Sequence, residues 1–278
     1  MKPIPVSVIV LTKNEEPNLG KCIASAADFD ELFVVDSHSR DRTREIAAEC
    51  DARVVDFEWN GRYPKKKQWA LENLPLTHDW VLYLDADEEV THDLSTEIRA
   101  VLGAKPEHFG YFVGLDYRFL GKTLRHGQRA FKLVLFDRRR GRFEERDDLD
   151  AVNMWEVEGH YQPRIGGSVG TLKASLVHDD HDSLFHYFER HNRYSDWEAV
   201  LRRKSTTNGN PWRETHVKSR PKAMFNALPF KPLAFFVHSY IVRRGFLDGR
   251  AGYHYALAKA FYYWQIRVKE LELAERAR

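Results

Sequence analysis

The sequence predicts an α/β fold built on a parallel sheet, and three observations point there. Val6–Leu11, Leu32–Val35 and Trp80–Leu84 are apolar runs of strand length. The run at Trp80–Leu84 is continuous and not alternating, as in a strand covered on both faces. Helical segments fall between these runs, and the connections are a few residues long. That succession reads as βαβαβ with right-handed crossovers.

Each element has a local reason. Val6–Leu11 is the first strand, and Thr12-Lys-Asn-Glu-Glu follows it as a turn. A helix is expected over Pro17–Ala27. Leu32–Val35 is the second strand, followed by Asp36-Ser-His-Ser-Arg-Asp-Arg-Thr. The next helix runs over Thr43–Cys50, with Asp41 or Arg42 near its cap. Ala52–Asp56 is the third strand, Lys66–Asn73 a helix and Trp80–Leu84 the fourth strand. Beyond residue 110 the pattern changes. Tyr111–Leu120 and Lys132–Asp137 read as strands of an α+β region, Gly166–Gly170 as a tight turn and Leu184–Arg203 as a long helix. Pro211–Pro221 reads as a polar linker. Three regions are therefore expected: 1–110, 111–220 and 221–278.

Composition narrows the classes. The chain has 278 residues, 43% hydrophobic and 30% charged, which fits a globular protein with a real core and not a disordered one. A formal net charge of +2 gives no global signature of nucleic-acid binding. Cys22 and Cys50 are in no metal-ligand spacing and are expected as buried free thiols. No apolar signal region opens the sequence, and no apolar stretch is long enough to span a bilayer.

The chemistry concentrates at strand ends. The strand Trp80–Leu84 runs into Asp85-Ala-Asp87-Glu-Glu. Carboxylates at the carboxyl end of such a strand sit where open α/β sheets bind ligands. Two hard oxygen donors there suit Mg²⁺ or Mn²⁺, which commonly bridge to phosphates. The alternative is an acidic loop, with Asp93 or Thr91 capping the next helix. Thr12–Glu16 offers backbone amides, a lysine and two carboxylates. Asp36 ends a strand, where it can accept from a pyrimidine N–H or a ribose hydroxyl. Lys67 and Gln68 open a helix and could reach a diphosphate. Each of these also has a structural reading, as a cap or a solvated face. Neither a Gly-X-Gly-X-X-Gly sequence nor a Walker A loop is present. His178-Asp-Asp-His181, with His186 and His191, matches no usual zinc spacing. His178 is the best of these for lining an acceptor or diphosphate site.

In this order, Val6-Ser-Val-Ile-Val-Leu-Thr-Lys-Asn-Glu-Glu-Pro-Asn-Leu, Val34-Val-Asp-Ser-His-Ser-Arg-Asp-Arg-Thr and Leu82-Tyr-Leu-Asp-Ala-Asp-Glu resemble glycosyltransferase family 2. The resemblance is narrower still to the bacterial branch with lipopolysaccharide-core β-glucosyltransferases. It is close over residues 1–110. It is looser through Phe136-Asp-Arg, Gly167-Ser-Val-Gly-Thr-Leu, Val177-His178, His191-Asn-Arg-Tyr-Ser and Arg244-Gly-Phe-Leu-Asp-Gly249. It implies a GT-A fold: a Rossmann-like nucleotide-sugar-binding sheet in 1–110, an acceptor and catalytic-base region in 111–220 and a helical extension in 221–278. It also implies that Thr12, Glu15 and Asp36 hold base and ribose. Lys67 and Gln68 stand where the family has a Lys-Asn pair. Asp85 would contact ribose and metal, and Asp87 would be the main metal ligand.

An inverting transfer needs a carboxylate to deprotonate the acceptor. Many relatives carry a His-Glu pair near that position, whereas this chain has Trp155-Glu156-Val-Glu158-Gly-His160-Tyr. On a predicted strand Glu156 and Glu158 face opposite sides. Glu158 is favoured because it adjoins Gly159. Glu156 is second and Asp148 third. Pairing with nearby arginines is the alternative for all three.

Ala223–Val242 is apolar and aromatic, broken by Pro229, Lys231, Pro232 and His238 and flanked by Lys218, Arg220, Lys222, Arg243 and Arg244. That pattern fits an interfacial element on an anionic membrane. A helix with a Phe261–Trp264 patch follows over Gly252–Leu271. Packing on the catalytic region, or a dimer contact, would also explain this segment.

The expected function is a metal-dependent inverting glycosyltransferase of cell-envelope glycan assembly. Its donor is a nucleotide-diphosphate sugar, most simply a UDP-sugar, and its acceptor a saccharide or a lipid-linked one. It is expected in the cytoplasm, on the inner face of the cytoplasmic membrane, with no nucleic-acid partner. A nucleotidyltransferase is one rival, although Thr12–Glu16 lacks the Gly-rich basic loop such an enzyme usually shows. A catalytically silent membrane-bound binding module is the other, and donor hydrolysis would separate it from an enzyme.

Overall fold

A computed structural model of the chain describes residues 2–151, 153–159, 162–181, 183–207 and 230–276. The linker expected at 211–221, the apolar stretch 223–229 with its basic flank at 218–222, and His160 lie outside these residues. In chain order the strands are β1 (Ile4–Thr12), β2 (Phe29–Asp36), β3 (Arg53–Asp56), β4 (Trp80–Asp85), β5 (Glu88–Val90), β6 (Gly110–Phe119), β7 (Lys122–Thr123), β8 (Ala130–Asp137), β9 (Gly141–Arg142), β10 (Arg164–Ile165) and β11 (Val169–His178). The helices are α1 (Leu19–Ser25), α2 (Thr43–Glu49), α3 (Lys66–Asn73), α4 (His92–Gly103), α5 (Leu184–Thr207), α6 (Lys231–Phe236) and α7 (Gly249–Glu275). A π-helical turn, Val237–Val242, and a 3₁₀ turn, Gly245–Asp248, lie between α6 and α7.

The chain divides into two compact units. The first comprises Met1–Arg118, Arg129–Glu145 and Glu156–His181, and the second Phe119–Gln128, Arg146–Trp155 and Asp182–Arg278. The sheet of the first unit has the order β3-β2-β1-β4-β8-β6-β11-β5. Its buried strands carry the apolar runs read from the sequence. Ile9, Val10, Val34, Val35, Val81 and Leu82 have no more than traces of exposed surface. This is the expected α/β class, with the central sheet of a GT-A fold.

Three expectations change. The sheet is mixed: β3, β2, β1 and β4 run parallel to one another, and so do β6 and β11. β8 runs antiparallel to both β4 and β6, and β5 antiparallel to β11. The residues between β6 and β8 contain no helix, and a parallel return needs a longer crossover than they supply. Second, residue 110 is not a unit boundary, because β6, β8 and β11 complete the same sheet. Third, Glu156 and Glu158 lie in irregular chain and not on a strand. The backbone there is spent on α3 instead, with the Glu156 carbonyl accepting from Lys66 N at 2.8 Å.

Smaller differences follow local chemistry. Thr91, not Asp93, caps α4, its hydroxyl accepting from Leu94 N at 3.2 Å. Gly170 is inside β11, not in a turn. Cys22 is buried as expected, whereas Cys50 is exposed at the end of α2.

In the second unit α5 and α7 pack together, and Ala199, Tyr262 and Ile266 form a buried cluster. Gly252 lets α7 pass against the 3₁₀ turn. A Cβ there would collide with the Gly245 carbonyl oxygen. Among the described residues no helix is long and apolar enough to cross a membrane.

Candidate functional site

Parallel pairing brings the chemistry-bearing residues to one edge of the sheet. Thr12 pairs with Asp36 in register, and Leu11 pairs with Asp85, so the ends of β1, β2 and β4 are neighbours. His178 ends β11 and pairs with Glu88. The Asp179 amide donates to the Asp87 carbonyl at 2.9 Å, which ties that strand end to the acidic loop.

Asp85, Asp87, Glu88, His178 and Lys132 therefore converge. Lys132 Nζ donates to Asp85 Oδ2 at 2.6 Å and to Glu88 Oε1 at 2.7 Å. Glu88 is fully buried and also accepts from Asp85 N at 3.0 Å. Burial opposes charge on Asp85, but the Lys132 ammonium and then Lys67 hold its carboxyl well below the usual range. Burial likewise opposes charge on Lys132, yet its two carboxylate partners raise it above an ordinary lysine.

Asp87 lacks such compensation. Burial pushes its carboxyl up to about 6, with His178 pulling the other way. Its Oδ1 and the Nδ1 of His178 are buried without a hydrogen-bond partner and lie 3.5 Å apart. Burial disfavours charge on His178, but Asp87 and Glu88 outweigh it and raise the imidazole to about 9. Among the described residues no three His, Cys, Asp or Glu side chains form a ready metal cage. Asp87 and His178 form an ion pair without a hydrogen bond beside Asp85, and His178 Nδ1 also lies 3.9 Å from Glu88. That fits a divalent ion that takes its remaining ligands from phosphate and water.

The second group surrounds the start of α3. Lys66 is buried, and its Nζ donates to Thr12 O and Ser37 Oγ, both at 2.6 Å. Burial lowers it to about 8 against the pull of Glu156 and Asp36. Glu158 is fully buried. Its two oxygens accept from Lys67 N at 2.6 Å and Gln68 N at 2.9 Å, so a distant residue serves as the cap of α3. Burial raises its carboxyl, although these two amides resist that. Glu156 is partly open. It pairs with Lys13 at 3.5 Å and stands 4.0 Å from Lys66.

Other expected residues fall as follows. Asp36 is fully buried; it accepts from Thr12 Oγ1 at 2.9 Å and from Ser39 N at 2.8 Å. Glu15 accepts from Asn18 Nδ2 at 2.9 Å. The Lys67 ammonium lies 5.9 Å from the Phe143 ring centre. The side chain of Gln68 accepts from Phe143 N at 2.7 Å and donates to Glu72 at 2.8 Å. Its amide is thus committed within the protein and is not extended toward a diphosphate, contrary to expectation. Asp148 falls in the second unit, where it accepts from Trp197 Nε1 at 3.0 Å.

Lys66, Glu88 and Lys132 were not singled out from the sequence. Only Lys132 leaves a signal there: a lone lysine in the otherwise apolar run Ala130-Phe-Lys-Leu-Val-Leu-Phe.

The family model described as glycosyl transferase family 2 matches residues 7–162, more than half of the chain. The chain therefore belongs to glycosyl transferase family 2 and is classed with the glycosyltransferases. A lipopolysaccharide core biosynthesis glycosyltransferase of Rhizobium meliloti is 27% identical over 270 residues, covering 93% of this chain and 89% of that protein. A TPR repeat-containing protein of Synechococcus elongatus is 38% identical over 109 residues, covering 39% of this chain. That match spans only 26% of the cyanobacterial protein. Glucosyl-3-phosphoglycerate synthase from Mycobacterium tuberculosis, crystallised with Mn²⁺ and UDP, shares 29% identity at a TM-score of 0.33. The likeness covers 41% of this chain and 44% of that one.

Lys132→Met leaves the buried Glu88 without its cation and the half-exposed Asp85 unpaired. A loss of about 3–5 kcal/mol in urea unfolding is expected. Adding Glu88→Gln should restore part of it, since the two residues act on one another.

Proposed function

We propose that the chain transfers a sugar from a nucleotide-diphosphate donor, with inversion, to a saccharide acceptor. The observation that carries this reading is the Asp87–His178 ion pair, without a hydrogen bond, beside Asp85 at the carboxyl edge of the sheet. Those residues would hold Mg²⁺ or Mn²⁺, which would neutralise charge on the departing diphosphate. Thr12, Glu15 and Asp36 frame the base and ribose. Lys66 and Lys67 add positive charge near the leaving group.

In this reading Glu156 is the base, in preference to Glu158. A base needs a lone pair open to the acceptor, and both Glu158 oxygens are engaged by the α3 amides. The acceptor oxygen forms its bond to the anomeric carbon while the bond to the diphosphate oxygen breaks. The electron pair leaves with the nucleotide, and the hydroxyl proton passes to Glu156.

UDP is the proposed nucleotide, and an envelope saccharide, free or lipid-linked, is the acceptor class. The near full-length likeness to a lipopolysaccharide core glycosyltransferase supports that class. A peripheral site on the inner face of the cytoplasmic membrane is proposed from the second unit. Phe230, Leu233, Val237 and Ile241 are exposed at helical spacing and lead into exposed Arg243 and Arg244.

Calorimetric titration of UDP, GDP and dTDP, each with Mn²⁺ and with EDTA, tests the donor site. Heat from UDP alone, lost in EDTA and in Asp87→Ala, is expected. Silence from all three nucleotides would remove the donor reading. Glu156→Gln should lower kcat roughly 10²–10⁴-fold with nucleotide affinity retained. Glu158→Gln should instead cost about 1–3 kcal/mol of stability, by unpairing an α3 amide. The reverse pattern would return the base to Glu158. Phosphatidylglycerol vesicles should sediment the full chain, and Arg243→Glu with Arg244→Glu should release it. A wild-type chain that stays in the supernatant would sink the membrane reading.

A further inference from the structure

Helix α7 carries an apolar line on its outward side. Leu257, Phe261, Trp264, Val268 and Leu271 recur at spacings of four, three, four and three residues, and each is 41–48% exposed. That spacing is the a/d seam of a heptad repeat, about 21 Å long at 1.5 Å per residue. The opposite side is already used. Tyr255, Ala256, Tyr262 and Ile266 are buried, the Tyr262 hydroxyl donates to Glu198 at 2.9 Å, and Lys269 Nζ donates to Asn192 O and Ser195 Oγ at 2.7 Å. The helix is thus held on α5 with its seam turned away. Phe261 and Trp264 are stacked at 5.2 Å within the seam.

We propose that this seam docks against the same seam of a second copy of the chain, as a short parallel coiled coil. The flanking charges choose the partner. With Phe261 and Val268 at a and Leu257, Trp264 and Leu271 at d, Arg267 falls at g and Glu272 at e. In a parallel pair each g residue meets the e residue five positions on in the partner helix, so Arg267 faces Glu272 twice about the two-fold axis. Both are exposed. Their present partners, Glu270 at 3.5 Å and Arg276 at 2.6 Å, form exposed ion pairs on the same helix that hold them weakly. An anionic lipid surface fits the seam poorly, because Glu272 and Glu275 are exposed in its last turns. A helix already fixed on its scaffold gives up little freedom on pairing, which favours association through so short a seam.

Sedimentation velocity of the full chain across the micromolar range tests this. A concentration-dependent dimer is expected. Glu272→Arg should raise its dissociation constant several-fold, and Arg267→Glu with Glu272→Arg should restore it. In a Cys50→Ser background, Val268→Cys should form a disulfide-linked dimer on mild oxidation, because an a residue faces its own copy only in the parallel arrangement. A chain that stays monomeric, or whose seam binds phosphatidylglycerol vesicles as a monomer, overturns the proposal. So does a dimer indifferent to Glu272→Arg. None of these readouts involves nucleotide or sugar, so they stand or fall apart from the catalytic reading.

Discussion

The first unit depends on one ammonium group. Asp85, Asp87 and Glu88 crowd three carboxylates into four residues at the end of a buried strand, and like charges so placed would repel strongly. Lys132 enters from β8 and binds two of them. Its chain neighbours are apolar, so its position is set by strand register and not by a flexible loop. The remaining acid, Asp87, is left facing His178. The resident ammonium takes Asp85 and Glu88, so the crowded acids are held together without repelling one another.

A second dependence runs through the start of α3. That helix has no side-chain cap of its own. Its leading amides are satisfied by Glu158, far along the chain, and Lys66 stitches its first turn to the ends of β1 and β2. Glu156 takes its position from the same stretch, its carbonyl bonded to the Lys66 amide. The segment 156–158 therefore fastens a helix and presents a carboxylate at once. Such a division of labour explains why two glutamates separated by one residue differ so much in exposure.

Much of this was legible in the sequence. The strands β1, β2 and β4 declare themselves by uninterrupted apolar runs, and Asp36, Asp85 and Asp87 by their position at the ends of those runs. What escaped reading was long-range. The antiparallel insertion of β8 between β4 and β6 depends on which strand edge is free, a property no local pattern encodes. Glu158 looks like a reactive acid beside a glycine until its oxygens are seen bonded to α3. Gln68 looks available until Phe143 and Glu72 are found at its two ends. Lys66 sits in a lysine run whose neighbours are of the same type, so composition alone could not separate the buried one.

The first unit is assembled from three separated stretches, and β11, the last strand to be added, lies between β6 and β5. During synthesis on the ribosome, β5 and β6 emerge long before the strand that joins them. Until residues 169–178 follow, each keeps an unpaired backbone edge, the kind of surface on which sheets from different chains adhere. Such a nascent chain has its acidic loop but lacks the histidine opposite. Pairing of Asp87 with His178 and completion of the sheet therefore arrive together, and a chain arrested before residue 178 would have neither.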